Sequence, residues 1–366
     1  CIFRANTFLY GELIILIIAN LTISPGGSSM TPRVAVISTF SVVSREELSR
    51  SLEEMIFEAS TGALNAAGLT ADDVDGIVLS GNDQIDGRVI SVMSGAGPAG
   101  GVNHDTTMIS SSGDHALVYG FLRLRSGQGK NVLVVGWAKP SESVAPLRAE
   151  LMSAEPYLLR QFGMTNAIAS ALQASRWKSR DGLIDYSKIV AWPLRESDLP
   201  AIGDSVHAVV LAVEGAFQAE TELAWIIDAA WATVSYELGD RDLTSFDSLQ
   251  LAMDQMRRRE KTIEVDQWSA IEIGAGSEQA VEAVVRLLKF NKSSTINASG
   301  SLATKPTSPH VSGLARMVAA INAVKEQNIL ETEVASERLT AGIGFNGFAG
   351  QGATVMVFSN SKIRAS

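Results

Sequence analysis

Cysteine is almost missing from this chain: 366 residues contain one, Cys1. A single thiol makes no disulfide framework, no redox pair and no thiolate cage for zinc, which points to a reducing compartment such as the cytoplasm. Histidine is scarce as well. His104, His115, His207 and His310 are dispersed, without an HExxH pair or a carboxylate cluster, so no metal is expected. Basic charge is in deficit, with 30 Lys and Arg against 40 Asp and Glu, a net charge of −10. That balance argues against nucleic-acid binding, which needs a basic face to neutralise phosphates. The one basic run, Arg257-Arg258-Arg259 with Lys261, reads as cations closing a helix or, less simply, as a docking point for a ligand phosphate. Long apolar runs are also lacking. Leu13 to Ala19 is too short to span a bilayer, and the residues before it lack the basic region of a secretory signal, so no membrane association is expected.

What is present is an α/β pattern. Val34 to Thr39 reads as a strand. A helical stripe of Leu48, Leu52, Met55, Ile56, Ala59 and Ala63 follows, ending at Gly68. Thr70 and Asp73 suggest a small cap before the buried-type strand Gly76 to Gly81. The order recurs: Val265-Asp266 leads into Ala270 to Ile273 as Val74-Asp75 leads into Ile77 to Leu79. Ser308-Pro309 then opens a helix with Leu314, Met317, Val318, Ile321 and Val324 on one face, before a last strand at Ala353 to Phe358. The expected organisation is a leader over 1–29, with Met30 as the start of the folded part, and two pseudo-repeated halves, 30–215 and 216–366. A region at about 144–200, with no strong strand signal, is expected to be an inserted loop region capping a site.

A serine triplet marks the candidate site. Thr106 to Ile109 is β-prone, Ser110-Ser111-Ser112-Gly113 has turn chemistry, and Ala116, Leu117, Phe121, Leu122 and Leu124 recur at helical spacing. Asn131 to Gly136 follows as a strand buried on both faces. A nucleophile at such a turn meets the first free N–H groups of a helix, which stabilise an anion. Gly95 to Gly100 matches GxGxxG, but Pro98 and the lack of a helix start behind it speak against dinucleotide binding.

Four stretches together resemble the thiolase superfamily, in particular its lipid-transfer-protein-like members. They are the run AAGLTADDVDGIVLSG from Ala66 to Gly81, the SSG helix start with NVLVVG behind it, NASGSL from Asn297, and NGFAGQG from Asn346. The resemblance spans about residues 33–360. It implies two stacked α/β halves, a homodimer, a CoA thioester as substrate or ligand, and a role in lipid metabolism. The family's nucleophilic cysteine falls on Ser110, and its second cysteine, an acid and base, on Asn346. Its histidine falls on Thr307, with His310 three residues on, and its NEAF or HDCF stretch falls on Gly274 to Ser277. With each chemical position changed, condensation or thiolysis through a cysteine thioester is not expected.

The candidate catalytic residues are Ser110, His310 and Asn346. Ser110 would accept an acyl group if His310 reaches it; the alternative is that Ser110 caps the helix and His310 is a first-turn surface residue. The positive end of the helix is expected to keep His310 neutral. Asn346 would donate to an enolate or alkoxide oxygen. Gly113, Asn297, Gly300, Gly347, Gly350 and Gly352 are candidate ligand contacts, the glycines through close backbone approach. Asp114-His115 is discounted as a dyad, because adjacent helical residues do not face each other. His207 and His104 read as structural. The implied activity is acyl transfer or retro-aldol carbon–carbon cleavage without a cysteine, alone or with a small OB-fold partner subunit. The other reading is an inactive subunit beside a cysteine-bearing paralogue, or an acyl-CoA or lipid carrier.

Overall fold

The computed structural model describes residues 31–83, 91–177, 188–218, 222–259, 264–326 and 337–362. The expected leader and Lys261 lie outside the described residues. In the first half the strands are β1 Val34–Ser44, β2 Gly76–Ser80, β3 Thr106–Met108 and β4 Asn131–Ala138, with β5 Ile189–Ala191 and β6 Leu194–Arg195 forming a separate small hairpin, and then β7 Asp204–Val213. The later strands are β8 Ala224–Thr233, β9 Trp268–Gly274, β10 Thr295–Ile296, β11 Leu339–Asn346 and β12 Gly352–Ser359. The hydrogen-bonded order is β10-β9-β11-β12-β8-β1-β7-β4-β2-β3.

This array is one plan used twice. From β1 outward, β7 and β4 pair antiparallel, then β2 and β3 parallel. From β8 outward, β12 and β11 pair antiparallel, then β9 and β10 parallel. The two sets join through only Ala35↔Trp225 and Val36↔Ala224. Most strands are covered on both faces, which is why they read as continuous apolar runs rather than alternating ones.

Eight helices occur among the described residues: α1 Leu52–Ala66, α2 Ser91–Ala96, α3 Gly113–Arg125, α4 Pro146–Ser153, α5 Asn166–Arg176, α6 Asp247–Arg259, α7 Glu278–Leu288 and α8 Pro309–Glu326. Helices α3 and α8 form the central layer. Leu117, Phe121 and Leu124 of α3 and Leu314, Met317 and Ile321 of α8 share one core with Val36, Val134 and Leu211 of the first set and Ile226, Met356 and Phe358 of the second. Outside the first set, α1 packs Met55, Ile56 and Ala59 on Leu79, Val135 and Val210. Outside the second, α6 and α7 pack Leu249, Met253 and Val284 on Ile271, Ile343 and Val355. The result is one ten-stranded sheet whose two five-stranded sets share a helical layer, the α/β class expected from the sequence.

Several boundaries differ from the periodicity. The first helix starts at Leu52 because Ser51 and Glu54 close a capping box, leaving Leu48 outside and 80% exposed. His207, read as structural, lies within β7, with Ser41 Oγ 2.8 Å from Nδ1. The inserted region holds α4, α5 and the β5–β6 hairpin, each too short or too weakly apolar to stand out in a window. Its Ala154, Met164 and Ala169 share a small core with Phe348 of the loop between β11 and β12. The GxGxxG stretch sits at the C-terminal end of α2, with Gly100 left-handed at φ 85°, where no helix N-terminus is offered to a phosphate.

Candidate functional site

The candidate site forms where α3 starts. Ile109 N donates to Leu79 O at 2.8 Å, and Ser80 Oγ donates to Ile109 O at 2.8 Å, which pins the segment leaving β3. Ser110 and Ser111 then lie exposed. The helix cap is Ser112, buried and extended, and its hydroxyl makes no capping bond. The first helical bond is Ala116 N to Ser112 O at 3.2 Å, so the leading N–H groups of α3 are not capped by a side chain. Gly113 is required by space, since a Cβ there would stand 2.9 Å from Leu314 Cβ of α8.

The loop from Asn346 to Gly352 meets this turn from the other half. Asn346 and Gly352 are a register pair at the end of β11 and the start of β12. Gly347, Ala349 and Gly350 adopt φ of 67°, 49° and 69°, so the connection curls back through left-handed conformations. Arg241 donates to Phe348 O at 2.8 Å and Ala349 O at 3.4 Å, and Ser248 Oγ donates to Gly350 O at 2.7 Å, so the loop is held from below. Asn346 Nδ2 reaches Ser112 Oγ and His115 Nε2, each at 3.2 Å. Gly352 makes room for that amide: a Cβ there would lie 2.0 Å from Asn346 Oδ1. Gly352→Ala is expected to push Asn346 off Ser112 and His115, and to weaken any acyl-CoA binding at least tenfold with the fold retained. Calorimetric titration with circular dichroism on the same sample checks this.

His310 differs from both sequence expectations. It is neither a surface residue nor a partner of Ser110. It is 6% exposed in α8, and its Nε2 lies 3.0 Å from Ser80 Oγ. Because Ser80 uses its proton on Ile109 O, the His310 Nε2–H is the donor between them. Burial above all lowers the His310 pKa to about 4, with the nearby Asp114 charge opposing and His115 assisting. Desolvation, rather than the helix terminus, is therefore the larger reason that the ring stays neutral. No side-chain hydrogen bond joins Ser110 to another described residue. Asp114 is 1% exposed, wedged where Cβ atoms on Gly313 and Gly344 would clash with it, and its Oδ2 has no hydrogen-bond partner.

His115 turns the other way from Asp114, as neighbours on a helix must. It is half-buried, its Nδ1 lies 2.7 Å from Ser111 Oγ, and its ring stands 6.1 Å from that of Trp231. Sequence reasoning passed over this pair. The four-residue spacing of Ser111 and His115 was its only local signal, and the link to Asn346 spans 231 positions.

Asn297 and Gly300 sit elsewhere and are engaged in structure. Asn297, left-handed at φ 48°, accepts from Ile273 N at 2.6 Å and donates to Ile273 O at 3.2 Å. Gly300 O accepts from Arg316, whose guanidinium also binds Glu272 Oε2 at 2.9 Å and Ser299 Oγ at 3.0 Å. The NASGS stretch is thus clamped onto β9 by a buried ion pair. Gly274 and Gly276 are close-packing positions against Arg316 Cγ and Ser170 Oγ.

Among the described residues, no three His, Cys, Asp or Glu side chains are grouped to hold a metal ion, and no helix is long and apolar enough to cross a membrane. A cleft of about 250 Å³ lined by Glu47, Arg50, Lys139 and Glu142 shares no residue with the Ser111–Asn346 cluster, and its charges pair with one another.

No known family model matches the sequence, and no characterised protein matches it at the level of sequence. The fold does have relatives. Human mitochondrial 3-ketoacyl-CoA thiolase in complex with CoA superposes with a TM-score of 0.66 at 12% identity, over 91% of this chain and 99% of that one. Another structure of human mitochondrial 3-ketoacyl-CoA thiolase gives a TM-score of 0.63 at 12% identity, over 91% and 100%. The chain therefore has a thiolase-like fold, with serine, histidine and asparagine side chains gathered at the turn into α3.

Proposed function

We propose that this chain binds an acyl-CoA thioester where the first turn of α3 meets the Asn346–Gly352 loop, and acts on the acyl group by acyl transfer or carbon–carbon cleavage without a cysteine nucleophile. The observation that carries this reading is the bond from Asn346 Nδ2 to Ser112 Oγ, which brings an amide from the second half to the uncapped N-terminus of a 13-residue helix. Charge developing on a thioester oxygen is stabilised by such N–H groups, by the helix dipole and by a side-chain amide. The CoA complex among the fold relatives supports the ligand class. Either chemistry also needs a base. The half-buried His115 is the imidazole next to this turn that is open to it, since His310 is committed to Ser80. A homodimer and a small OB-fold partner belong to the same reading.

The second reading, an inactive subunit or carrier, is favoured by the sealed position of His310 and by the absence, among the described residues, of a base hydrogen-bonded to Ser110. Calorimetric titration of the full chain with CoA, acyl-CoA and β-hydroxyacyl-CoA esters tests the common premise. The expected result is micromolar binding, worth about −8 kcal/mol. No heat of binding from protein shown to be folded and dimeric overturns the ligand assignment.

A further inference from the structure

We propose that Ser111, His115 and Asn346 form a serine acyl-transfer centre for activated acyl esters, with Ser111 as nucleophile, His115 as general base and Asn346 as the positioning residue. For thioesters this rests on the acyl-CoA reading above; for simple esters it stands alone. Three observations carry it. Ser111 Oγ and His115 Nδ1 are 2.7 Å apart, inside the range a nucleophile and its base require. The other imidazole nitrogen lies 3.2 Å from the Asn346 side-chain amide, which gives the ring a third group to set its orientation and tautomer. Ser111 is exposed one residue ahead of the helix cap; of the two other serines bonded to an imidazole, Ser80 is fully buried, and Ser41 pairs with the buried His207, whose Nε2 has no partner to orient the ring.

The amide orientation matters. With its NH2 toward Nε2, Asn346 makes Nδ1 the protonated nitrogen, and the ring then donates to Ser111. A half-turn of the amide presents Oδ1 to Nε2–H, leaves Nδ1 free to accept the Ser111 proton, and lets Ser112 O–H donate to the same oxygen. The two ends of an amide have nearly the same heavy-atom shape, so the exchange needs only rotation about the last side-chain bond.

In the reactive orientation the Ser111 oxygen bonds to the carbonyl carbon, its proton passes to Nδ1, and the carbon–sulfur bond breaks. The leaving thiolate takes that proton and departs as a thiol, leaving acyl-Ser111. Water, or another alcohol or amine, then gives its proton to His115 as it attacks the ester, and the proton returns to Ser111 Oγ. With water the products are a carboxylic acid and a thiol, with no change of oxidation state.

The test is labelling of the full chain with a fluorophosphonate, followed by mapping of the modified peptide, alongside turnover of p-nitrophenyl acetate. The expected adduct is on Ser111, lost in Ser111→Ala and formed at least 100-fold more slowly in His115→Ala. Asn346→Asp, which can only accept, keeps the labelling, whereas Asn346→Leu loses it. An adduct on Ser110 instead, or labelling untouched by His115→Ala, overturns the assignment. Loss of labelling in Asn346→Asp equal to that in Asn346→Leu overturns the positioning role. The probe contains no CoA, so the two readings fail separately. CoA binding without labelling at Ser111 ends this proposal alone, and labelling at Ser111 without CoA binding keeps the centre for simple esters while ending the acyl-CoA reading.

Discussion

Glu272→Ala is expected to lower the unfolding free energy by about 3–5 kcal/mol, the usual cost of removing one partner from a buried ion pair. Glu272 is 2% exposed and Arg316 is 5% exposed, and the truncation leaves the guanidinium in the interior beside Ser299 Oγ and Gly300 O alone. Glu272 also holds Ser299 through its backbone N–H at 2.9 Å and its hydroxyl at 2.7 Å, so the 297–301 segment should loosen together with the pair. Denaturant unfolding measures the free energy, and hydrogen exchange at Ser299 reports the loosening. The double replacement Glu272→Leu with Arg316→Met removes both charges, and it should cost much less than the single change, because no unpaired ion is left behind. A double variant as unstable as Glu272→Ala would show that shape, not charge, dominates there.

Stability should also fall steeply as the pH drops from about 6.5 toward 4. Burial lowers the pKa of both His207 and His310 to about 4, whereas an unfolded histidine titrates near 6.5. Between those values the unfolded chain binds protons that the folded chain refuses, so the slope of stability with pH is positive. Each histidine accounts for roughly 3 kcal/mol across the window, at 1.36 kcal/mol per unit. Paired carboxylates act in a separate, lower range: Glu47, held at about 2 by hydrogen bonds from Ser49 and Arg50, contributes stability above about 4.5 that is lost as the pH falls to 2. Unfolding at pH 7 and 4.5 isolates the histidine window. His207→Gln should flatten the dependence by about half, because His207 is fully buried, its Nε2 has no partner, and nothing in its surroundings compensates a charge. An unchanged slope in that variant would assign the acid sensitivity to other groups.

How much of the site was legible followed from the range of each interaction. The turn into α3, the glycine-rich loop and the amphipathic α8 are local patterns, and each was readable. The pairing of His310 was not, because its partner Ser80 lies 230 residues away and carries no mark of its own in the sequence. Asn297 was read as a ligand contact from motif order alone. The hydrogen bonds by which it ties the end of β10 to β9 depend on a parallel register that only the assembled sheet defines.

By itself, the sequence determined the α/β class, the twofold recurrence of its elements, the turn at the serine triplet and the lack of any thiol there. These rest on periodicity, turn chemistry and composition, which act over a few residues at a time. Tertiary structure alone decided that Ser80 meets His310 and that Asn346 meets His115. Packing α3 and α8 against both sets of strands buried His310 beneath Ser80 and carried Asn346 across to His115, and a contact between chain segments more than 200 positions apart is set by packing that no local window contains.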